Sequence, residues 1–251
     1  MVSILIIGDS CRDEFIYGEC NRLAPEAPVP VFNVVNTVSS MGMAGNVYRN
    51  LKELIDRSRV DISVDILTNS NWIDVTKTRY VDKTTNHMFI RIDDKDHKIE
   101  RIHPLNLIKI KDYDFIIISD YNKGFVTEQD IEYICQVNPN VIIDTKKILG
   151  SWINKTNFLK VNTSEYQKNK DYIDKFLSKK TLVTMGSKGC TFNGAMYPVS
   201  EVDVKDTAGA GDSFLAGFVF ELARTGNIDN AIRCGNDCAT EVVQKRGVSI
   251  I

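Results

Sequence analysis

A seven-residue stretch carries the clearest chemical signal in the sequence. It reads Asp206-Thr207-Ala208-Gly209-Ala210-Gly211-Asp212, and an apolar run with helical spacing, Ser213–Leu222, follows at once. The small residues at 208–211 let the backbone approach a ligand closely, and the free N–H groups of a helix N-terminus attract an anion. Asp212 would lie beside that anion, where a carboxylate can take the proton of a hydroxyl. This combination is what phosphoryl transfer from ATP to an alcohol requires.

The same residues also allow a purely structural interpretation, in which Asp212 caps a helix and the glycines form a loop. The short pattern G-A-G-D leaves both interpretations open, whereas the full D-T-A-G-A-G-D favours the anion site. Two other phosphate-binding motifs are absent from the sequence: there is no G-x-x-x-x-G-K-[ST], and no G-x-G-x-x-G follows the first predicted strand. A Walker-type NTPase and an ordinary Rossmann dehydrogenase are therefore disfavoured.

Short β-branched runs alternate with helix-length segments and must position these residues. The runs are Ile4–Ile7, Phe115–Ser119, Val141–Asp144, Phe158–Val161 and Thr181–Met185, and the helical segments are Ala44–Asp56, Glu128–Val137, Glu165–Ser178, Gly211–Arg224 and Asp229–Lys245. Such runs are typical of a parallel sheet buried on both faces. We therefore expect residues 1–251 to form one α/β domain with a doubly wound, mostly parallel sheet, helices on both faces and ligands at the carboxyl ends of the strands.

Two segments, Val29–Val38 and Val75–Asp93, differ from this pattern of buried strands and helices because apolar and polar residues alternate in them. Asp82–Asn86 is typical of a hairpin turn within the second segment. We expect these pieces to form a small projecting β-sheet lid, discontinuous in sequence, from residues 14–38 and 75–98. An apolar sheet face must be covered, so the lid should cover a substrate cleft or the matching sheet of a partner.

The overall composition disfavours several classes of protein. The 251 residues include 31 Lys+Arg and 33 Asp+Glu, a formal net charge of −2, which argues against a general nucleic-acid binder or a polybasic membrane-binding protein. No apolar stretch approaches the roughly 20 residues of a membrane-spanning helix, and the first predicted strand begins too early for a signal peptide. We therefore expect a cytoplasmic protein with small-molecule substrates and neither a nucleic-acid nor a membrane partner.

The spacing of cysteines and histidines does not predict a metal site. The six cysteines form no C-x-x-C pair, and His87, His97 and His103 lack ligand spacing. Although Cys234 and Cys238 could share one helix face, we expect all six to be free, buried thiols in a reducing compartment.

The D-T-A-G-A-G-D stretch resembles the carboxy-terminal signature of the ribokinase-like (PfkB) carbohydrate kinases, and the resemblance extends over nearly the whole chain. Within that family the chain is most similar to the D-glycero-D-manno-heptose 7-phosphate kinases, including the kinase domain of the bifunctional ADP-heptose enzyme. The segments that carry this similarity are I-G-D at 7–9 with Asp13, R-L-A-P-E-A-P-V-P-V at 22–31, T-K-T-R at 76–79, I-R-I-D at 90–93, S-D-Y-N-K-G at 119–124 and D-T-K at 144–146. The run at 22–31 is the most specific of them.

The resemblance implies roles around the phosphates of ATP. Asp212 would be the general base, and the amides of Gly209, Ala210 and Gly211 would form the anion hole. Asn162 and Glu165 match the family pattern N-x-x-E and would hold Mg²⁺ through its water shell. The alternative for this pair is a helix entry capped by Thr163 or Ser164.

The resemblance further implies a nucleotide pocket and a cation site. Thr184, Gly186 and Gly189 would lie along the nucleotide phosphates, the alternative being a plain strand-turn-strand. The other implied contacts are Lys146 at a phosphate, with Asn236, Ala239 and the turn at 247–248 around adenine, and backbone oxygens of Asp206 and Thr207 at a monovalent cation such as K⁺.

On the acceptor side, the resemblance implies that Asp13 and Asn46, with Gly42 nearby, bind sugar hydroxyls. A carboxylate and an amide suit a polyol, because one accepts hydrogen bonds and the other both donates and accepts. The cations implied for a substrate phosphate are Arg22, Lys77, Arg79, Arg91 and Lys123. The alternative for each is an ordinary exposed or strand-edge charge that discourages aggregation. A homodimer formed through the lids is also implied.

Two features depart from the family pattern. The family's G-G-x-x-x-N appears here as G-M-A-G-N at 42–46, with Met43 in place of the second glycine, and the segment Arg57–Val75 is short. We expect a changed lid hinge and a sheet lacking a strand and helix on one flank. Neither departure touches Asp212, so the sequence predicts an ATP-dependent sugar kinase, most directly of heptose 7-phosphate at O1. A kinase of a hexose, ribose or nucleoside, and a catalytically silent nucleotide- or sugar-binding regulator, remain the alternatives.

Overall fold

The computed structural model describes residues 1–102, 109–247 and 249–251, so His103 and Val248, both named above, lie outside the described residues. The strands are β1 (Val2–Gly8), β2 (Ser10–Leu23), β3 (Pro30–Met43), β4 (Ile62–Leu67), β5 (Thr76–Asp82), β6 (Met88–Asp94), β7 (Phe115–Asp120), β8 (Val141–Thr145), β9 (Phe158–Asn162), β10 (Thr181–Thr184), β11 (Cys190–Phe192) and β12 (Ala195–Tyr197). The α-helices are α1 (Ala44–Ser58), α2 (Glu128–Val137), α3 (Thr163–Lys168), α4 (Lys170–Tyr172), α5 (Ala210–Thr225) and α6 (Ile228–Val243).

An eight-stranded main sheet has the order β12-β11-β10-β9-β8-β7-β1-β4. Neighbouring strands from β4 to β10 run parallel, and β11 and β12 add an antiparallel hairpin at one edge. The five predicted apolar runs all lie in the parallel part, so this part of the prediction is confirmed. The hairpin at 190–197 was not expected as a sheet edge, because each of its strands has only three residues.

Successive side chains of the main sheet enter two separate core layers. Ile4 and Ile6 of β1 pack with α1, α5 and α6, whereas Leu5 and Ile7 pack with α2 and the helical turns after β9. This alternation is what strands buried on both faces require. The doubly wound α/β fold is therefore confirmed, and the carboxyl ends of its central strands form one edge lined by polar residues.

The predicted helix Glu165–Ser178 is wrong in its start and its continuity. Helix α3 begins at Thr163, because Asn162 and Glu165 form a reciprocal capping box. The helix then breaks at Asn169, whose side chain donates to the carbonyl of Glu165 and accepts from the amide of Leu149. An asparagine that bonds to nearby backbone in this way competes with the helical hydrogen bonds. A three-residue helix and a π-turn at 173–177 complete the segment.

A second sheet has the order β3-β2-β5-β6 and forms the expected lid. Its longest hydrogen-bonded pair is β2 with β3, two strands of 14 residues each. The sequence did not predict that β2 begins as early as Ser10, because charged residues such as Asp13 are buried in it and mask the alternation of apolar residues. The R-L-A-P-E-A-P run spans the exposed end of β2 and the turn that leads to β3.

The short segment after α1 contributes only β4, which lies at one edge of the main sheet. Residues 68–75 then form a turn that enters β5 of the lid without an intervening helix. The lid strand β5 pairs with β2 in parallel, in a register that sets Asp13 opposite Lys77 and Phe15 opposite Arg79. A short connection on this flank therefore leads directly from the main sheet to the lid and its cations.

Candidate active site

Two cavities meet at the N-terminus of α5. One has a volume of about 650 Å³ and lies between the lid and the loop at 206–209, with Asp212 in its wall. The other has a volume of about 580 Å³ and lies between α5, α6 and the strand ends at 184–189. Val204 and Thr207 line both cavities. We call them the acceptor cavity and the nucleotide cavity, after the sides on which the sequence implied those ligands.

Helix α5 begins with a bend that depends on glycine. Gly209 has a φ of 83° and precedes the helix without any side-chain cap. A Cβ on Gly211 would lie 2.8 Å from the Nζ of Lys160. The side chain of Asp212 does not cap the helix, so the helix-cap interpretation of this motif is not supported. The bend leaves the N-terminal end of α5 facing the cavities.

The Asp212 carboxylate is buried and held by two neutral donors. Its Oδ2 accepts from the Nδ2 of Asn46 at 2.9 Å, and its Oδ1 accepts from the hydroxyl of Tyr121 at 2.7 Å. Burial raises the pKa of Asp212, while the hydrogen bonds from Asn46 and Tyr121 oppose that rise. A carboxylate with a raised pKa beside a cavity is the arrangement expected of a general base.

Asn46 has a different position from the one expected for a sugar ligand. It lies fully buried in the first turn of α1, and its Oδ1 accepts from the Nδ2 of Asn50 at 3.2 Å. Both ends of its amide are therefore engaged inside the protein. Asn46 is here a partner of Asp212, and its role toward sugar hydroxyls stays a prediction.

Sequence reasoning missed Tyr121, although it lies in the quoted S-D-Y-N-K-G segment. The loop that carries it is fixed by the buried Asp9, whose carboxylate accepts from the amides of Tyr121 and Phe125 at 2.7 and 3.0 Å. Burial, together with the nearby Asp212, raises the pKa of Tyr121 well above its usual value, so its hydroxyl is a donor to Asp212. The sequence did contain a signal for Tyr121, because this tyrosine directly follows a buried strand that ends in aspartate.

Lys160 is the second residue that the sequence analysis missed. It lies in β9 between Leu159 and Val161 and is 3% exposed. Its Nζ donates to Asp144 at 2.6 Å, and Asp144 also accepts from Lys146 at 3.1 Å. Burial opposes ionisation of Asp144, but the two lysines outweigh it and lower its pKa. A positive charge is thereby fixed beneath the glycine bend, where the N-terminal amides of α5 also converge.

The N-x-x-E pair has a structural role in addition to any role with a metal. Asn162 accepts from the amide of Glu165, Glu165 accepts from the amide of Asn162, and Glu165 also pairs with Lys146. Asn162 is thus the helix cap, rather than Thr163 or Ser164 as the alternative interpretation held. Among the described residues no group of three or more His, Cys, Asp or Glu is placed to hold a metal. The pair therefore fits Mg²⁺ only through water and nucleotide oxygens, which is how Mg²⁺ usually binds.

The nucleotide cavity brings together most of the residues implied for the nucleotide. Thr184, Gly186, Gly189, Asn236 and Ala239 line it, with Ala210 and Gly211 at the helix end, whereas Lys146 does not. Gly189 has a φ of 87°, and a Cβ there would lie 2.1 Å from the carbonyl oxygen of Tyr197, so this turn requires glycine. The sequence analysis missed the loop at 199–204 and Phe214, which complete the apolar wall.

The acceptor cavity contains four of the five cations implied for a phosphate. Lys77, Arg79, Arg91 and Lys123 line it together with Asp13. Lys77 and Asp13 are buried, at 6% and 5% exposure, and Arg79 donates to Asp13 at 2.6 Å, so the strand-edge interpretation fails for Lys77 and Arg79. Gly42 lies beneath Asp13, where a Cβ would be 2.0 Å from its Oδ2. Arg22 is exposed near the end of β2, outside both cavities.

Met43, the substitution in the expected glycine pair, lies at the end of β3 and lines the acceptor cavity. Its φ is 58° and its side chain is buried beside Cys11 and Val75. A φ in this region is costly for a bulky side chain. The departure therefore lies where strain is expected, next to the start of α1.

The lid also contacts the loop that precedes the glycine bend. The Nδ2 of Asn86, in the turn between β5 and β6, donates to the carbonyl of Lys205 at 3.1 Å. Arg246 donates to the carbonyls of Lys83 and Thr84 in the same turn. Asp206, implied with Thr207 for a monovalent cation, uses its carboxylate to accept from the amides of Ala208 and Gly247. The loop at 205–208 is thus held between the lid and the chain after α6.

Other expectations concerned thiols and membrane segments. All six cysteines are free, and Cys11, Cys135, Cys190 and Cys238 are buried whereas Cys20 and Cys234 are partly exposed. Burial raises the pKa of Cys135 and of Cys190 to about 12. Within residues 1–102, 109–247 and 249–251, none of the helices has the length and hydropathy to cross a bilayer.

Comparison with known sequences identifies relatives of the chain. Residues 33–251 match the model of the pfkB family carbohydrate kinases. The chain is 31% identical to the bifunctional protein HldE of Aliarcobacter butzleri (strain RM4018), over 98% of this chain and 61% of that protein. It is 29% identical to the bifunctional protein HldE of Campylobacter jejuni (strain RM1221), over 97% and 61%. The chain thus spans about three fifths of the length of these relatives.

Comparison with solved structures shows the same fold. A ribokinase from Thermotoga maritima superposes with a TM-score of 0.71 at 17% identity, covering 99% of this chain and 95% of that one. Phosphofructokinase-2 from Escherichia coli, solved in complex with potassium, gives a TM-score of 0.68 at 14% identity, covering 100% and 95%. Both main sheet and lid therefore follow a ribokinase-like architecture.

The buried lysine beneath the bend yields a prediction on stability. Lys160→Met leaves the buried Asp144 with one cation instead of two, so the free energy of unfolding should fall by about 3 kcal/mol, as for other broken buried ion pairs. The measurement is urea unfolding at neutral pH. Lys170→Met is the control, because Lys170 pairs with Asp174 on the surface, where ion pairs contribute little. Equal, small losses in both variants would contradict the structural role of Lys160.

Proposed function

Because the chain belongs to the pfkB family of carbohydrate kinases, and is therefore a sugar kinase that transfers a phosphoryl group to an alcohol, we propose that Asp212 is its general base. The observation that carries this proposal is the position of the Asp212 carboxylate in the wall of the acceptor cavity, at the helix end where the two cavities meet. The other two carboxylates of that wall are engaged differently: Asp13 is paired with Arg79, and Asp206 binds backbone amides of its own loop and of the chain after α6.

The proposed mechanism assigns each group one task. The acceptor hydroxyl lies against Asp212, which takes its proton as the oxygen attacks the γ-phosphorus of ATP; the bond from that phosphorus to the β–γ bridging oxygen breaks, and ADP leaves. The amides of Gly209 and Gly211, and that of Ala210 when it leaves its 3.3 Å hydrogen bond to the carbonyl of Thr207, would stabilise the negative charge on the transferring oxygens together with the Lys160 ammonium beneath them. Asn46 and Tyr121 hold both oxygens of Asp212 and keep it ionised before the proton arrives.

We further propose roles for metal ions, since the family uses ATP and usually Mg²⁺. Asn162 and Glu165 would hold Mg²⁺ through its waters, and when bound the ion would neutralise phosphate charge. The oxygens around Asp206 and Thr207 are proposed for a monovalent cation. This proposal is supported by the potassium complex of phosphofructokinase-2 from Escherichia coli, which shares the fold.

The proposed acceptor is a phosphorylated sugar, most directly D-glycero-D-manno-heptose 7-phosphate at O1. Support comes from the sequence resemblance to heptose 7-phosphate kinases and from the similarity to HldE proteins. A cavity of about 650 Å³ lined by Lys77, Arg79, Arg91 and Lys123 suits an anionic polyol. Asp13 is proposed to accept from its hydroxyls.

We also propose a homodimer formed through the lids. Strands β3 and β6 leave large apolar side chains exposed, between 41% and 60%: Val34, Val35, Val38, Met88, Phe89, Ile90 and Ile92. The strand register sets Ile90 and Ile92 on the lid face opposite to Arg79, whereas Val38 and Met88 lie on the side of the acceptor cavity. Exposed apolar side chains on the outer face are well matched by a second copy of the same face.

The base is tested by Asp212→Asn. We expect kcat to fall at least about a hundredfold, the lower range for a general base, when ADP release is measured with heptose 7-phosphate. Asp171→Asn, an exposed carboxylate elsewhere, should be unaffected. A panel of hexose phosphates, free sugars and nucleosides tests the acceptor. Full turnover in Asp212→Asn would overturn the assignment of Asp212 as the general base. Tight sugar binding without ADP release with any acceptor would favour the alternative of a catalytically silent regulator.

The hydrogen bond from Tyr121 predicts a pH dependence. A base works only when ionised, so kcat/KM should fall as pH drops through the pKa of Asp212. Tyr121→Phe removes a donor that favours the carboxylate, so the pKa should rise and the acid limb should move up by about one pH unit. Tyr113→Phe is the control, since Tyr113 donates to the surface residue Asp65. An unmoved acid limb in Tyr121→Phe would contradict this role.

The dimer is tested by sedimentation velocity. Ile90→Asp introduces a charge into the exposed lid face and should convert the dimer to a monomer. Ile148→Asp is the matched control, because Ile148 is also exposed but lies outside the lid. A wild-type protein that sediments as a monomer at micromolar concentration would refute the dimer.

A further inference from the structure

The cations of the acceptor cavity are already paired with carboxylates of the protein itself. Lys77 contacts Asp93 and Asp96, Lys123 contacts Asp96, and Arg79 contacts Asp13. Building on the proposed function, we propose that the Asp96 carboxylate occupies the position of an anionic substituent of the acceptor. Lys77 and Lys123 would bind that substituent, a phosphate, when Asp96 moves out.

The geometry around Asp96 is that of a bound anion. Both of its oxygens lie 3.1 Å from the Nζ of Lys77, and Oδ2 also contacts the Nζ of Lys123. The two lysines come from separate elements, β5 and the loop after β7. Two ammonium groups that converge on one carboxylate can bind a phosphate dianion in the same place, because it has more charge and more acceptor oxygens.

Asp96 borders the cavity and differs from the carboxylates that line it in how it is held. Asp13 lies within the long strand β2, packed against Gly42, and its pairing with Arg79 is fixed by the sheet. Asp96 instead begins a three-residue 3₁₀ turn after β6, preceded by Lys95 with a φ of 60°. The lid can therefore release Asp96 without breaking a strand, and Lys77 keeps Asp93 as a partner.

This exchange would make the cavity selective for charged acceptors. A neutral sugar cannot replace the carboxylate, so Lys77 and Lys123 stay paired with Asp96 and contribute nothing to its binding. A phosphorylated sugar gains both cations and has its hydroxyls in the cavity that contains Asp212. Asp96 would thus lower the affinity of the cavity for all anions, so that only an anion that binds both lysines displaces it, and it would leave the affinity for uncharged sugars unchanged.

The test measures binding of inorganic phosphate by calorimetry. In Asp96→Asn the competing charge is gone and the two lysines are free, so phosphate should bind about tenfold more tightly. Adding Lys77→Met to this variant should abolish the gain. Asp94→Asn changes an exposed neighbour in β6 and should bind phosphate like the wild type. Phosphate bound at the N-terminus of α5 should be affected by neither variant. Unchanged or weaker binding in Asp96→Asn would overturn the inference.

A kinetic arm separates this inference from the proposed function. For a phosphorylated acceptor, Asp96→Asn should lower KM about tenfold, whereas the KM for the corresponding free sugar should not fall. If no acceptor is phosphorylated by the wild type but phosphate binding follows the expected pattern, the proposed acceptor fails and the anion site stands. If heptose 7-phosphate is phosphorylated and its KM does not fall in Asp96→Asn, the anion exchange fails and the kinase stands.

Discussion

A buried carboxylate stays ionised only when donors replace the water it has lost, and this requirement governs the arrangement around Asp212. The two donors, Asn46 and Tyr121, come from α1 and from the loop after β7. Both elements lie at the carboxyl edge of the main sheet, because parallel strands with helical crossovers bring all their carboxyl ends together. Asp9 then fixes the loop of Tyr121 to the end of β1. The sheet topology is therefore what makes one ionised side chain possible at this position.

Positive charge is distributed differently on the two sides of that carboxylate. Beneath the glycine bend, Lys160 is fixed in a strand and paired with Asp144, so its ammonium has little freedom to move. On the lid side, lysines and arginines extend into a cavity and pair with carboxylates that also line it or border it. A fixed charge suits stabilisation of a transition state, since no reorganisation is needed. A charge with an exchangeable partner suits discrimination among ligands.

The sequence predicted the parallel core well, because its apolar runs are continuous and its helices have clear periodicity. The motif at 206–212 likewise predicted its own local structure, since a glycine-rich segment followed by an apolar helical run has few alternative conformations. The sequence did not predict the positions of polar side chains that lie in a buried environment. Lys160 within β9 and Asp13 within β2 interrupt the apolar pattern, and Asn46 is directed to a partner 166 residues away that no local pattern reveals. The family and the reaction class are confirmed, whereas the acceptor and the role of each site residue stay predictions from the sequence.

The hydrogen bonds that join the lid turn to the loop at 205–208 link the two substrates. Asn86 attaches that turn to the segment whose residues separate the cavities, and Arg246 attaches the same turn to the chain after α6. Opening the lid to admit the sugar must therefore disturb a wall of the compartment on the other side. Because such coupling is reciprocal, whichever substrate arrives first changes the affinity for the second. The strength of that coupling would depend on a few backbone carbonyls.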